Sequence, residues 1–94
     1  MTTPAETRHL RITGRVQGVG YRGWTQKTAH AMGLRGWVRN DTDGAVRAML
    51  HGPPATIAKM IDAMRDGPPG ARVDGIEAEP ATPGPVPANF EIRR

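Results

Sequence analysis

The strongest constraint on this chain is a run of seven residues near its start, Gly14-Arg15-Val16-Gln17-Gly18-Val19-Gly20, which holds three glycines. Glycine reaches backbone conformations closed to other residues, so a regular element that meets this run has to stop. Ahead of it, residues 7–13 alternate with period two: Leu10 and Ile12 point one way, His9, Arg11 and Thr13 the other. That is the pattern of a half-buried strand. Behind it, residues 22–32 contain no proline and no glycine after Gly23, and Tyr21, Thr25, Ala29 and Met32 fall near one face, which predicts a helix. Gly33 is a suitable stop, with Leu34 placed to fold back onto the last turn. The run is therefore a glycine-rich connection from a strand into a helix.

The rest of the chain punctuates itself. Residues 34–40 read as a second strand, Asp41-Thr42-Asp43-Gly44 as a turn, and residues 45–51 as a third strand with Val46, Ala48 and Leu50 on one face; together they make a hairpin. Gly52-Pro53-Pro54 opens a second helix, where proline is tolerated in the first turn. Ile57, Met60, Ile61 and Met64 recur at helical spacing and are read as core, and Gly67-Pro68-Pro69-Gly70 ends the helix. Residues 71–79 predict a fourth strand interrupted by Gly75. Residues 80–88, with Pro80, Pro83, Pro85 and Pro87, predict a stiff surface connection, and residues 89–93 a short final strand with Phe90 and Ile92 facing inward. Residues 1–6 are expected to be a disordered tail and residues 7–94 a single domain. The order β-α-β-β-α-β predicts an α+β sandwich of ferredoxin-like type, an antiparallel sheet with two helices on one face.

Composition narrows the chemistry. Ninety-four residues make one small domain with a modest core and no separate cofactor-binding unit. Cysteine is absent, which removes disulfides, thiolate metal sites and cysteine nucleophiles; serine is also absent, which removes serine hydrolysis. His9, His30 and His51 lie far apart and show no metal-ligand spacing, so neither a metal nor a cofactor is expected. Residues 1–40 carry seven Lys/Arg against one acid, while residues 41–94 carry six against eight. The basic half would attract small anions or nucleic acid, though charge alone is as well accounted for by a basic surface with no particular partner. The first residues are polar with no apolar leader pattern, and no apolar run is long enough to span a bilayer, so a cytoplasmic location without membrane contact is expected.

The glycine connection supplies an anion site on physical grounds. Successive backbone N–H groups in such a loop can turn into one concavity, and the helix that follows adds its own first amides and the positive end of its dipole. Arg22 stands where loop meets helix, and a guanidinium forms two parallel hydrogen bonds to phosphate oxygens. The run lacks the Gly-Lys-Ser/Thr ending of a nucleotide P-loop, and Gly14, Gly18 and Gly20 do not have the dinucleotide-binding spacing.

The residues from Ile12 to Arg22, Ile12-Thr13-Gly14-Arg15-Val16-Gln17-Gly18-Val19-Gly20-Tyr21-Arg22, resemble the first signature of the acylphosphatase family. Gly36-Trp37-Val38-Arg39-Asn40, with Gly44, Val46 and Gly52 following at the family's spacing, resembles the second. The resemblance continues through Ala71-Arg72-Val73-Asp74 to Phe90-Glu91-Ile92-Arg93. Tyr21 stands where the family usually has phenylalanine, which keeps the ring. Arg94 stands where the family often has an aromatic. The resemblance implies hydrolysis of the carboxyl–phosphate bond of a small acyl phosphate by in-line attack of water. Arg22 and Asn40 would be the catalytic residues, and the phosphoryl group would be held by Arg22 and the loop from Arg15 through Val16, Gln17, Gly18 and Val19 to Gly20. It implies a metal-independent, cofactor-free and monomeric enzyme. Thr25, near the same helix start, is a candidate to hold Asn40 or the loop.

Other readings of the same residues fit less well. Asp41-Thr42-Asp43-Gly44 resembles the Asp-x-Asp loop of magnesium phosphatases, which need a larger parallel sheet, and part of a calcium loop, whose closing glutamate position holds Gly52. A hairpin turn accounts for it. Ferredoxin-like sheets also bind RNA through aromatics on central strands, but Tyr21, Trp24, Trp37 and Phe90 are the only aromatics of the chain and the aromatic-rich RNA motif is missing, so no nucleic-acid partner is expected. A regulatory domain without turnover is disfavoured because Arg22 and Asn40 are both present.

Overall fold

The computed structural model describes residues 4–82 and 84–93. Among them the chain runs β1 (Glu6–Arg15), α1 (Tyr21–Ala31), β2 (Arg35–Asn40), β3 (Val46–Gly52), α2 (Pro54–Asp66), β4 (Arg72–Pro80) and β5 (Phe90–Arg93). The strands form one sheet in the order β4-β1-β3-β2-β5. Period-two alternation puts Leu10 and Ile12 of β1, Val38 of β2 and Val46, Ala48 and Leu50 of β3 on one face, all at most 1% exposed. α1 packs over β2 and β5, and α2 over β3 and β4. Tyr21 and Ala29 of α1 and Ile57, Met60 and Met64 of α2 complete a single core with these strand residues. The helical spacing of the methionines thus marks core, as expected. No helix of the described residues is long and apolar enough to cross a membrane.

The element boundaries follow from local chemistry. Gly33 takes φ +73° after α1, its N–H bonds to the His30 carbonyl at 3.0 Å, and the Leu34 N–H reaches back to the Ala29 carbonyl at 2.9 Å. This pair of bonds closes the helix with a left-handed residue and returns Leu34 to the core. Gly36 takes φ +140° within β2, and a Cβ built there would lie 1.8 Å from the Met49 carbonyl oxygen of the neighbouring strand. Of the expected tail, residues 1–3 lie outside the described residues, and Glu6 is already the first residue of β1, paired with Gly52.

The sheet differs from the expected antiparallel arrangement at one edge. β1, β2, β3 and β4 pair antiparallel, but β5 pairs parallel with β2. β4 and β5 are the opposite edges, and β4 runs opposite to β2. The connection crosses at the end where β4 finishes, so β5 enters there and has to run with β2. Arg35 anchors this proline-rich crossing through Nε to the Pro87 carbonyl (2.9 Å) and Nη2 to the Val86 carbonyl (3.1 Å).

The β2–β3 hairpin is braced by two carboxylates. Arg47 Nε donates to Asp41 Oδ2 at 2.7 Å, and this bond holds the Asp41 carboxyl below its ordinary range and raises Arg47 in turn. Asp43 is also held low, first by the Ala45 N–H donating to its Oδ1 at 3.0 Å, then by Arg11. The Asp-x-Asp segment is a hairpin turn.

Two stability tests follow from these features. Gly36→Ala should lower the free energy of unfolding by about 3 kcal/mol or more in urea titration, because strand backbone meets the added carbon. Gly33→Ala, equally left-handed but open within 4 Å, should lose only about 1 kcal/mol. For pH the sign is set by the depressed carboxyls. Their contribution is complete above the ordinary aspartate value and disappears as pH falls through the lower folded values. Urea midpoints should therefore drop from about pH 5 to about pH 3, and Asp41→Asn should lower the neutral-pH midpoint and flatten that acid slope.

Candidate active site

β1 and β2 run in the same direction, so the loop after β1 and the end of β2 meet at one end of the sheet, beside the end of β5. Residues 16–20 lead from β1 into α1. Gly18 and Gly20 are both left-handed, at φ +75° and +77°, and Gly20 caps the helix with no side-chain bond to its amides. The first bond at this end of the helix runs from the Trp24 N–H to the Gly20 carbonyl at 3.0 Å. The amides of Tyr21, Arg22 and Gly23 therefore precede any intrahelical acceptor. The first turn carries no acidic side chain. A fixed positive field faces outward here, with nothing of opposite sign on the helix to cancel it.

The field opens into a cavity of about 620 Å³ lined by Val16, Gln17, Gly18, Gly20, Tyr21, Arg22, Gly23, Asn40 and Ile92. Arg22 engages no carboxylate in the ion pairs of the described residues, whereas Arg11 and Arg47, on other strands, do. Asn40 ends β2, and its Oδ1 is buried with no hydrogen-bond partner among the described residues. A buried carbonyl oxygen left unpaired costs about 1–3 kcal/mol, so its retention at a cavity wall points to a use.

The expected site residues are largely brought together. Val16, Gln17, Gly18, Gly20, Arg22 and Asn40 all line the cavity. Two of the expected loop residues do not. Arg15 is still the last residue of β1, exposed and paired with Arg72, and Val19 turns its side chain toward the core. The Gln17 side chain also has a different task from phosphate contact. Its Nε2 donates both hydrogens across the cleft, to the Asp41 carbonyl at 2.8 Å and the Ala45 carbonyl at 2.9 Å. One amide thus ties the glycine loop to the hairpin that follows Asn40. Thr25 does not hold Asn40 or the loop: its hydroxyl, fully buried, donates to the Tyr21 carbonyl one turn earlier at 2.8 Å.

Tyr21 anchors the helix start. Its ring is 1% exposed, and its hydroxyl donates to the Met64 carbonyl near the end of α2 at 2.8 Å. Burial pushes that hydroxyl's pKa far up, so it remains a donor at any working pH. The tyrosine in place of phenylalanine therefore adds a tie between the helices while keeping the packing of the ring. Ile92 was expected to face inward, but it is 40% exposed. It shares a face with Phe90, which is buried, yet lies one alternation further along, where it lines the cavity. Sequence reasoning had no signal for this, since the parallel register of β5 decides it.

Comparison with known proteins agrees with this geometry. The acylphosphatase family model matches residues 8–92. An acylphosphatase of Rhizobium meliloti is 46% identical over all of this chain and 99% of its own length. One of Rhodospirillum rubrum is 56% identical over 76% of this chain and 78% of its own. The crystal structure of acylphosphatase from Bacillus subtilis superposes with a TM-score of 0.90 at 30% identity, covering 97% of this chain and all of that one. With the family model, these relatives and the fold in agreement, this chain belongs to the acylphosphatase family.

Proposed function

We propose that this protein hydrolyses small acyl phosphates to a carboxylate and inorganic phosphate, with Arg22 and the loop amides holding the phosphoryl group and Asn40 positioning the attacking water. The observation that carries the assignment of roles is the unpaired, buried Oδ1 of Asn40 in the wall of a cavity that Arg22 shares. An asparagine is too weak a base to take a proton outright, but its carbonyl accepts a hydrogen bond from water and so aims a lone pair.

The chemistry asks for little more. The water oxygen attacks phosphorus in line with the bond to the acyl oxygen. That bond breaks, the acyl group departs with the electron pair as a carboxylate, and the water's surplus proton passes to the phosphate product or to solvent. A carboxylate is a good leaving group, so no general acid is required at its oxygen. What remains is to hold three phosphoryl oxygens and orient water, which is positioning plus charge stabilisation. The reading assigns that stabilisation to the guanidinium of Arg22 and to the amides of the loop and first helical turn, with no metal or cofactor, acting in a cytoplasmic monomer on a dissolved substrate.

Benzoyl phosphate hydrolysis measured in EDTA tests the assignment. Wild type should turn over unimpaired by the chelator. Arg22→Ala should lose roughly a hundredfold or more in kcat/KM together with inhibition by inorganic phosphate. Asn40→Ala should lose a comparable factor in kcat while phosphate inhibition stays within a few-fold. Loss of phosphate binding in Asn40→Ala would make that residue structural, and EDTA-sensitive turnover would contradict metal independence. The Gln17 tie has its own signature: Gln17→Leu should lower kcat about 10- to 100-fold through misalignment of loop and water. In an Asn40→Ala background the same change should have much less effect, because there is no positioned water left to misalign. Full additivity in that double-mutant cycle would show that Gln17 merely stabilises the fold.

A further inference from the structure

Ile92 is the large hydrophobic residue left exposed among the described residues, and it lies in the cavity wall. Its place is set by sheet register. β5 runs parallel to β2 with Ile92 beside Val38 and Arg93 beside Arg39. Asn40 is two residues beyond Val38 on the same face, so strand spacing and rise put Ile92 roughly 8 Å from Asn40 along the backbone. Arg22 and the first amides of α1, which hold the phosphoryl group in the placement proposed above, share the cavity lining with Ile92. An acyl phosphate whose phosphorus sits against those amides has its carbonyl carbon directed away from them, and the exposed Ile92 side chain is the aliphatic lining surface open to the acyl group.

The charges nearby fit an uncharged acyl group. Arg39 and Arg93 neighbour Asn40 and Ile92 in sequence, but alternation turns both to the other face of the sheet, where they stack over the Trp37 ring at 5.6 and 5.4 Å. Among the described residues, Arg22 is the sole charged side chain in the cavity lining. With that guanidinium committed to the phosphoryl group, none of the described lining residues offers a second cation to a carboxylate or phosphate on the acyl portion. The open edge is branched aliphatic carbon.

We propose that Ile92 is a specificity-determining residue, forming an apolar acyl subsite that favours acyl phosphates with an aromatic or branched aliphatic group over acetyl phosphate or acyl phosphates carrying a second charge. This rests on the phosphoryl placement proposed above, and a binding measurement separates the two. Phenylphosphonate and methylphosphonate share the anionic head and differ in the apolar part. Titration calorimetry on wild type should show tighter binding of phenylphosphonate. In Ile92→Ala and Ile92→Thr that preference should shrink by about tenfold, the discrimination a contact of this size provides, with methylphosphonate affinity unchanged. Threonine keeps the β-branch that suits an edge strand, so it guards against misfolding of the alanine variant. The ratio of kcat/KM for benzoyl over acetyl phosphate should fall by the same factor. Equal weakening of both phosphonates, or no change in their ratio, would overturn the subsite. Intact discrimination without turnover of any acyl phosphate would leave the subsite standing and count against the hydrolytic reading instead.

Discussion

The pairing of β1 with β3 is the contact on which the molecule depends. Seven residue pairs from Glu6↔Gly52 to Ile12↔Val46 join the two strands at the centre of the sheet. They place Leu10 and Ile12 beside Val46, Ala48 and Leu50 on one buried face. A one-residue slip would turn the apolar set of one of the two strands to the open face, so the burial itself sets the register. Both helices need that apolar face to cover. The antiparallel hairpin then brings β2 to run with β1, and this directional match puts the glycine loop and Asn40 at the same end.

Alignment at that end is finished by hydrogen bonds rather than by packing. Gln17 spans from the loop to the carbonyls of Asp41 and Ala45, while Asp41 and Asp43 take up Arg47 and Arg11 on the sheet's other face. The division has an electrostatic consequence. The two hairpin carboxylates are engaged away from the cavity, and the first turn of α1 has no acid, so the cavity around Arg22 keeps its positive potential. Tyr21 holds the same helix start from below through Met64. The loop is thus secured at the hairpin and at the helix, on either side of its two left-handed glycines.

Much of this was legible in the chain. The period-two strands, the Met60 and Met64 stripe, the Gly33 stop and the hairpin turn are local patterns, and the structure contains each with boundaries within two residues of the expected ones. The loop and Arg22 were legible because strand, glycines and helix are contiguous. Asn40 was found through the family signature, since on its own an asparagine before a turn is ordinary turn chemistry. The tasks of individual side chains and the register of the last strand had no local signal. Gln17 reaches residues 24 and 28 positions away, Thr25 bonds to its own helix, and Ile92 depends on which edge β5 joins and in which direction.

The sequence by itself determined the elements, their order, the family and the glycine-rich loop with its arginine at the helix start, because these follow from periodicity, glycine and proline placement and contiguous motifs. Only the tertiary structure decided that Asn40 would have a buried oxygen without a partner among the described residues, that Gln17 would bind the hairpin and leave only its backbone to the loop, and that Ile92 would border the cavity. These facts arise from strand direction and register, which bring residues together across long stretches of chain and have no local signature in the order of amino acids.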